Sequence, residues 1–316
     1  MPLLASAYSA PLGFSNPHLQ TVFAGRLRRV DGPGYERERI ATPDGDFLDL
    51  DWTRVGADRL VVISHGLEGS ADRAYVRGMA RALNRHGWDA LAWNLRGCSG
   101  EPNRQLRLYH SGATDDLDAV MQHALQRYDE VALVGFSLGG NLTLKYLGEQ
   151  GEAAPVARAV AFSVPVDLAA SSVALGRWAN GLYMRYFLRS LSGKVRAKAE
   201  QFPDAVSTDG LGGIRDFRGF DDRYTAPLHG FDDAADYWHR SSSQHFLDAI
   251  RVPTLLVNAA DDPFLAPSCY PTEAARQSEH LTLEVPTHGG HVGFVRFGAD
   301  GEYWSEQRAA EFLDAA

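Results

Sequence analysis

Short apolar segments alternate with amphipathic segments from residue 60 to the end of the chain, and this alternation constrains the fold more than any other feature. Near-continuous apolar strands that alternate with helices are typical of a parallel sheet covered on both faces. The predicted strands span 60–64, 89–94, 131–134, 158–164, 253–259 and 281–285, and the predicted helices span 74–86, 114–128, 142–148, 272–279 and 303–313. Residues 36–54 predict a β-hairpin. We therefore expect an α/β fold with a mostly parallel central sheet, an N-terminal β-hairpin and helices on both faces.

The alternation is interrupted between residues 165 and 249. This stretch is rich in aromatic residues and glycine, which indicates a helical and aromatic insertion that packs over the edge of the sheet as a cap. The predicted organisation is thus a core made of residues 1–164 and 250–316, with a cap of residues 165–249 between its two parts. A chain of 316 residues is long enough for one large domain with such an insertion.

Composition and charge restrict the partners that the sequence predicts. A formal charge of −9 argues against nucleic acid, whose phosphates bind basic surfaces. Cys98 and Cys269 are far apart and lie in no metal-ligand spacing, which favours a reducing compartment over a disulfide framework. The N-terminus lacks the basic region of a signal peptide, and no run of 18 apolar residues occurs. We expect a cytoplasmic protein without a transmembrane segment, and the sequence leaves its oligomeric state open.

Ser137 is the candidate nucleophile. It lies in the sequence Gly135-Phe-Ser-Leu-Gly139, between a predicted strand and a predicted helix. In this setting the pattern Gly-x-Ser-x-Gly is typical of a nucleophile elbow, a tight turn that exposes the serine hydroxyl and needs small residues two positions away on either side. The same pattern could be a glycine-rich turn without chemistry, because a serine nucleophile also needs a base and an orienting carboxylate.

Candidates for both partners follow later predicted strands, in the chain order serine, acid, histidine. Asp262 is favoured over Asp261 as the acid because a proline and an apolar residue follow it; Asp261 is the alternative, or a residue that stiffens the loop through its backbone. His291 is favoured over His288 as the base because its flanking glycines and the apolar segment after it direct the ring inward. The sequence therefore predicts a triad of Ser137, Asp262 and His291.

An acyl-transfer site also needs N–H donors for the developing oxyanion. One predicted donor is the backbone N–H of Leu138, the residue after the candidate nucleophile. The other is the N–H of Leu67, in the loop 64–70 after the first parallel strand, where Gly66 and Gly69 let the backbone approach closely. This chemistry requires no metal ion and no organic cofactor.

Motifs along nearly the whole chain resemble those of one branch of the α/β-hydrolase family. They are Asn16-Pro-His-Leu-Gln-Thr, His65-Gly-Leu-Glu-Gly-Ser, Asn94-Leu-Arg-Gly-Cys-Ser-Gly, Tyr109-His-Ser-Gly, Gly135-Phe-Ser-Leu-Gly-Gly-Asn, Asp261-Asp-Pro-Phe and Gly289-Gly-His-Val-Gly-Phe. The branch groups bacterial YheT-type hydrolases with eukaryotic abhydrolase-domain lipases and yeast medium-chain ethyl ester synthase/esterases. The resemblance implies a Ser–Asp–His triad at Ser137, Asp262 and His291 and a site for acyl esters. It assigns no role to residues 16–21.

The leading hypothesis is a serine carboxylesterase that cleaves short- to medium-chain or lipid esters through an acyl-enzyme. The alternative is an alcohol O-acyltransferase, in which an alcohol replaces water as the acceptor. A non-catalytic scaffold is disfavoured because the serine, acid and histidine are all present. The expected partner is a small-molecule or lipid ester, and the aromatic cap allows a transient contact with a membrane surface. Arg96, Tyr109 and His110 are expected to tie loops together or to shape the pocket.

Overall fold

Nine strands form one sheet in the computed structural model, which describes residues 2–31 and 34–315. The strands are β1 (Leu3–Leu4), β2 (Glu36–Ala41), β3 (Phe47–Thr53), β4 (Arg59–Ser64), β5 (Asp89–Asn94), β6 (Glu130–Phe136), β7 (Ala159–Phe162), β8 (Thr254–Val257) and β9 (Leu281–Glu284). Their order across the sheet is β1-β9-β8-β7-β6-β4-β5-β3-β2. Strand β3 is antiparallel to both β2 and β5, and the other neighbouring pairs are parallel. The predicted α/β fold, with its mostly parallel sheet and N-terminal hairpin, is confirmed.

Helices cover both faces of the sheet. They are α1 (Pro17–Val22), α2 (Ala74–Arg85), α3 (Thr114–Ala124), α4 (Leu138–Gln150), α5 (Leu168–Leu175), α6 (Gly181–Gln201), α7 (Phe217–Phe220), α8 (Ala226–His229), α9 (Ala234–Ser241), α10 (Thr272–Gln277) and α11 (Trp304–Leu313). Successive side chains of β4 point to opposite faces. Leu60 and Val62 share a buried cluster with residues of α3 and α4, whereas Val61 and Ile63 share one with residues of α2 and α11. Each face of the sheet therefore has its own apolar core.

The strand order reverses between β4 and β6, which lie side by side at the centre of the sheet. From β4 the chain crosses to β5 on one side, and from β6 it continues to β7, β8 and β9 on the other. Ser64, the last residue of β4, is in register with Gly135 near the end of β6. Loops that leave adjacent strands at such a reversal diverge and leave a crevice, which is where open α/β sheets bind ligands. The loop 65–70 and the turn at Ser137 both lie at this crevice.

Helices α5 to α9 lie between β7 and β8, within the region predicted as a cap. They bury a separate apolar cluster, which includes Leu188, Val195, Phe220 and Trp238, and Leu67 of the β4 loop packs against it. This body therefore contacts the crevice directly. None of the helices in the described part of the chain is long and apolar enough to span a bilayer.

Several predicted bounds differ from the structure; α3, for example, ends at Ala124 rather than at residue 128, and α10 ends at Gln277 rather than at residue 279. Helix α4 begins at Leu138, one turn before the predicted start at residue 142, because Gly139 and Gly140 are helical although glycine is a poor helix former. Residues 17–21 lie in α1, and the side chain of the preceding Asn16 caps this helix by accepting the N–H of Leu19 at 3.1 Å. No helix was predicted there.

Candidate active site

Ser137 occupies a strained turn between β6 and α4. Its backbone has φ 52° and ψ −118°, in the left-handed half of conformational space, where a residue with a side chain costs about 1–3 kcal/mol. The turn is held on both sides, since the Ser137 N–H donates to the Phe162 carbonyl and the Asn141 N–H donates to the Ser137 carbonyl, each at 2.9 Å. These hydrogen bonds therefore hold the turn in its strained conformation and keep the hydroxyl pointed away from the strand.

The glycines around Ser137 are required by close backbone approach. A Cβ at Gly135 would lie 2.6 Å from the Cα of Gly140, and a Cβ at Gly139 would lie 2.6 Å from the carbonyl oxygen of His65. Real Cβ atoms do not make such contacts. The N-terminus of α4 is therefore packed directly against the end of β4, which places the β4 loop beside Ser137.

The structure brings Ser137, His291 and Asp262 into one run of hydrogen bonds. The His291 Nε2 atom lies 2.9 Å from Ser137 Oγ, and its Nδ1 atom lies 2.9 Å from Asp262 Oδ2. His291 and Asp262 are 7% and 5% exposed, so the ring and carboxylate are screened from bulk water. The Phe264 N–H donates to Asp262 Oδ1 at 2.9 Å, which orients the carboxylate. Because the His291 Nδ1–H donates to Asp262, the Nε2 atom is free to accept the serine proton.

Asp261 and His288, the less favoured alternatives, form a second pair beside the first. Asp261 Oδ2 lies 3.1 Å from His288 Nδ1, and Asp261 Oδ1 accepts the Gly290 N–H at 2.9 Å. The His288 side chain is 40% exposed. Asp261 thus bonds the backbone of the loop that carries His291, and neither residue reaches Ser137.

Two residues that the sequence analysis did not identify hold the His291 loop. Thr21 Oγ1, on α1, accepts the His291 N–H at 2.9 Å, and Ser163 Oγ, after β7, accepts the Val292 N–H at 2.9 Å. Val292 has a φ of 53°, which is unfavourable for a β-branched residue, so the loop depends on such external support. The motif at residues 16–21 therefore has a structural place against the His291 loop.

The loop 65–70 presents one unused N–H near Ser137. The Gly66 N–H donates to Tyr75 Oη at 3.0 Å, and the Glu68 N–H donates to Tyr109 Oη at 2.9 Å. Among the residues that the structure describes, the N–H of Leu67 has no acceptor, and neither does the N–H of Leu138 in the first turn of α4. Both predicted oxyanion donors are therefore available for a ligand.

His65 braces this loop as a neutral ring. Its Nε2 accepts the Leu95 N–H at 3.2 Å, so its Nδ1 carries the proton and donates to the Gly66 carbonyl at 2.8 Å. Burial of the ring lowers the pKa of His65 to about 3, against the bond to Gly66, which raises it. The ring therefore stays uncharged across the physiological range and holds the start of the loop.

Glu68 ties the same loop to helix α6. Its buried carboxylate accepts the Tyr109 hydroxyl at 2.6 Å and the Ser190 hydroxyl, and it lies 3.4 Å from Lys194 Nζ. Burial opposes the charge of Lys194, but the neighbouring Cys98 and Glu68 raise its pKa above the usual value. The residue after Leu67 is thus fixed by an ion pair with α6, a connection that the sequence analysis did not anticipate.

A cavity of about 380 Å³ opens above Ser137 between the sheet and helices α5 to α9. Its lining is mainly apolar and includes Leu175, Leu182, Phe187, Leu191, Phe217 and Phe264. Ser137, His291, Leu67 and Leu138 also line it. Apolar walls with a few convergent polar groups are typical of sites for small molecules.

Arg96 and His110 take different places relative to this cavity. Arg96 is buried and binds the carboxylates of Asp44, Asp46 and Asp116 at 2.6–2.9 Å, which ties three segments of the core together. His110 lines the cavity together with Tyr109.

Comparison with known proteins identifies the family. Residues 59–296 match the model of the alpha/beta hydrolase fold family, which is more than half of the chain. The chain belongs to the α/β-hydrolase family. The match extends from β4 past His291 and so includes every residue of the Ser137–His291–Asp262 hydrogen-bond run.

Relatives by sequence confirm the predicted branch of the α/β-hydrolases. The chain is 37% identical over 320 residues to the Escherichia coli K12 protein named "Putative esterase YheT", with 98% of this chain and 94% of that protein covered. It is 31% identical to mouse phospholipase ABHD3, with 83% of this chain and 66% of that protein covered. It is 29% identical to the Saccharomyces cerevisiae medium-chain fatty acid ethyl ester synthase/esterase 2, with 80% of this chain and 61% of that protein covered.

Solved structures agree on the fold. The esterase Pf2001 of Pyrococcus furiosus superimposes with a TM-score of 0.58 at 18% identity, with 90% of this chain and 97% of that chain covered. At this identity the likeness shows the α/β-hydrolase fold and nothing finer.

Proposed function

We propose that this α/β-hydrolase is a serine carboxylesterase that cleaves acyl esters through a covalent acyl-enzyme. The observation that carries the proposal is the hydrogen-bond run Ser137–His291–Asp262 at the floor of an apolar cavity. The esterase names of the YheT relative from Escherichia coli and of the yeast ester synthase/esterase support it.

The geometry suits a two-step reaction. Ser137 Oγ attacks the ester carbonyl while His291 Nε2 takes its proton, and Asp262 stabilises the imidazolium that forms. The N–H groups of Leu67 and Leu138 bind the oxyanion, and each stabilises the transition state by about 3 kcal/mol. His291 then protonates the leaving alcohol, and a water activated by the same ring hydrolyses the acyl-enzyme.

We assign the acyl chain to the part of the cavity walled by helices α5 to α7, with residues 165–249 acting as the cap. The aromatic and aliphatic side chains there offer an apolar surface, and a volume of about 380 Å³ is at the lower end for small-molecule sites. This size favours short- to medium-chain acyl groups. A lipid ester would keep the rest of its length outside the mouth of the cavity.

Hydrolysis of p-nitrophenyl esters from acetate to decanoate tests the proposal. Ser137→Ala should lower kcat/KM by at least about 10³-fold, and a fluorophosphonate should label Ser137 stoichiometrically. Ser268→Ala, which removes an exposed hydroxyl that bonds Asp167, is the matched control and should retain activity. Unchanged turnover in Ser137→Ala would remove the proposal.

A second candidate function keeps the acyl-enzyme and changes the acceptor to an alcohol. The name of the relative from Saccharomyces cerevisiae, which includes both ester synthase and esterase, supports this candidate. Product analysis with added ethanol separates the two, because transfer yields the ethyl ester whereas hydrolysis yields only the free acid.

A further inference from the structure

Two stretches of the chain contain no acidic residue although the chain as a whole carries a charge of −9. They are residues 1–30 and residues 168–199. Together they hold nine basic residues, which are Arg26, Arg28 and Arg29 in the first stretch and Arg177, Arg185, Arg189, Lys194, Arg196 and Lys198 in the second. The remaining residues are therefore strongly acidic. Arg28 and Lys194 are paired with Glu306 and Glu68, and Lys198 is buried, so the exposed positive charge of the two stretches comes from Arg26, Arg29, Arg177, Arg185, Arg189 and Arg196.

The structure places residues 18–26 of the first stretch beside helix α6 of the second, at the mouth of the cavity. His18 stacks on Tyr183 with ring centroids 5.8 Å apart, and the Arg26 guanidinium lies 4.3 Å from the centre of the Tyr186 ring. Val22 and Arg26 from the first stretch and Leu182 from the second line the cavity. Residues far apart in sequence thus form the two sides of one opening.

Exposed apolar side chains concentrate in the same stretches. Seven of the nine large apolar residues exposed in the described part of the chain belong to them, namely Leu12, Leu19, Val22, Leu27, Val173, Trp178 and Leu182. Trp178 is 97% exposed and Leu182 is 79% exposed, and they lie beside the opening, where Leu175 and Leu182 line the cavity. Val22 and Leu182 line the cavity and Trp178 lies between its lining residues Leu175 and Leu182 in the chain, and exposed large apolar residues at an opening mark a binding site rather than ordinary exposure.

Helix α6 presents these groups in one row. Leu182, Arg185 and Arg189 follow a helical spacing of three and four residues and are exposed. The opposite face of the helix is buried through Met184 and Leu188. We define the mouth face as Val22, Arg26, Trp178, Leu182, Arg185 and Arg189.

We propose that the mouth face docks on the surface of an anionic lipid bilayer, so that an ester held in the bilayer enters the cavity without crossing water. Arginines that flank exposed apolar side chains match the anionic headgroups and the acyl boundary of such a surface. Tryptophan is favoured at that boundary because its ring is apolar and its N–H is polar. Only the nature of what enters the cavity rests on the proposed esterase function.

Vesicle sedimentation of the full chain tests the docking. The Ser137→Ala form is used, so that hydrolysis does not alter the vesicles. It should sediment with vesicles of phosphatidylcholine containing about one third phosphatidylglycerol, and at least about tenfold less with phosphatidylcholine alone or at high salt. No sedimentation with the anionic vesicles would overturn the proposal, and retention on an acidic protein instead would assign the face to a protein partner.

Variants outside the cavity lining locate the surface. Arg185→Glu with Arg189→Glu, and separately Trp178→Ser, should each lower the vesicle partition coefficient, the double charge reversal by at least about tenfold. Arg276→Glu and Val55→Ser, which change an exposed arginine and an exposed apolar residue elsewhere, are the matched controls. Equal losses in the controls would overturn the proposal.

Activity towards soluble p-nitrophenyl acetate separates this proposal from the esterase function. It is measured with mouth-face variants that retain Ser137. The mouth-face variants should retain that activity, which also shows that they fold. Vesicle binding without any ester hydrolysis would leave the docking intact and remove the esterase function. Hydrolysis without vesicle binding would leave the esterase function intact and overturn the docking.

Discussion

His291 Nδ1 lies 2.9 Å from Asp262 Oδ2, whereas the adjacent Asp261 bonds His288 and the backbone of Gly290. Two neighbouring carboxylates thus point to different partners. One orients the ring beside Ser137, and the other bonds the loop that carries this ring. This division yields a matched pair of variants.

Asp262→Asn should lower kcat by about 10³- to 10⁴-fold, because an amide at this position favours the wrong tautomer of His291. Asp261→Asn keeps an oxygen for the Gly290 N–H and should cost less than about tenfold. Steady-state kinetics with p-nitrophenyl butyrate measures both. Equal losses would show that Asp262 has no special role in orienting His291.

Thr21→Val should lower kcat by about tenfold with a small change in KM. The substitution keeps the shape of the side chain but removes the oxygen that accepts the His291 N–H at 2.9 Å, and an unpaired buried N–H costs about 1–3 kcal/mol. Thr21→Ser retains the oxygen and should restore kcat. If Thr21→Ser is as impaired as Thr21→Val, the hydroxyl is not what supports the loop.

Local patterns were sufficient to locate Ser137, Asp262 and His291. Each follows a strand of a parallel sheet, and the carboxyl ends of such strands meet at one edge, so chain order and turn residues were enough to predict that the three meet. The apolar segments also predicted the strands, because a strand buried on both faces is apolar throughout.

Contacts between distant segments could not be predicted in this way. Thr21 and His291 are 270 residues apart, and no spacing or motif links them. The same holds for Glu68 and Lys194, since Lys194 lies on helix α6, whose position depends on packing. The early start of α4 was missed because glycine disfavours helices locally, whereas here it is needed for close approach to β4.

Lys194→Met should lower kcat by about 10- to 100-fold and change KM less. The substitution leaves the buried carboxylate of Glu68 without its cation, and Glu68 directly follows Leu67, the proposed oxyanion donor. A displaced donor weakens binding of the transition state more than of the ester. Arg196→Met, an exposed change on the same helix, is the control, and a similar loss there would contradict this role.

Stability should fall with rising pH because of Asp221 on the cavity wall. Burial raises the pKa of Asp221 to about 7, although hydrogen bonds from Thr225 and Trp238 oppose this. Between the unfolded value of about 3.9 and about 7 the folded protein holds the extra proton, so its free energy of unfolding decreases by up to about 4 kcal/mol as pH rises through this window.

Asp221→Asn removes this titration and should flatten the dependence. Thermal unfolding midpoints from pH 4 to 8 measure it, with Asp209→Asn, a change at an exposed carboxylate, as the control. The prediction fails if the difference between the unfolding midpoints of the parent protein and of Asp221→Asn stays constant from pH 4 to 8. That result would show that the carboxyl is already ionised at pH 4.

Gly139→Ala should abolish activity and destabilise the fold by at least about 1–3 kcal/mol, because its Cβ would lie 2.6 Å from the carbonyl oxygen of His65 and would push the loop 65–70 away from Ser137. Gly193→Ala is the matched control. Its Cβ would meet no atom within 4 Å among the described residues, and alanine is favoured over glycine inside a helix by about 1 kcal/mol, so this variant should be slightly more stable. Thermal unfolding and kcat are measured for both. A fully active Gly139→Ala would show that the backbone approach between α4 and β4 is not required for the site.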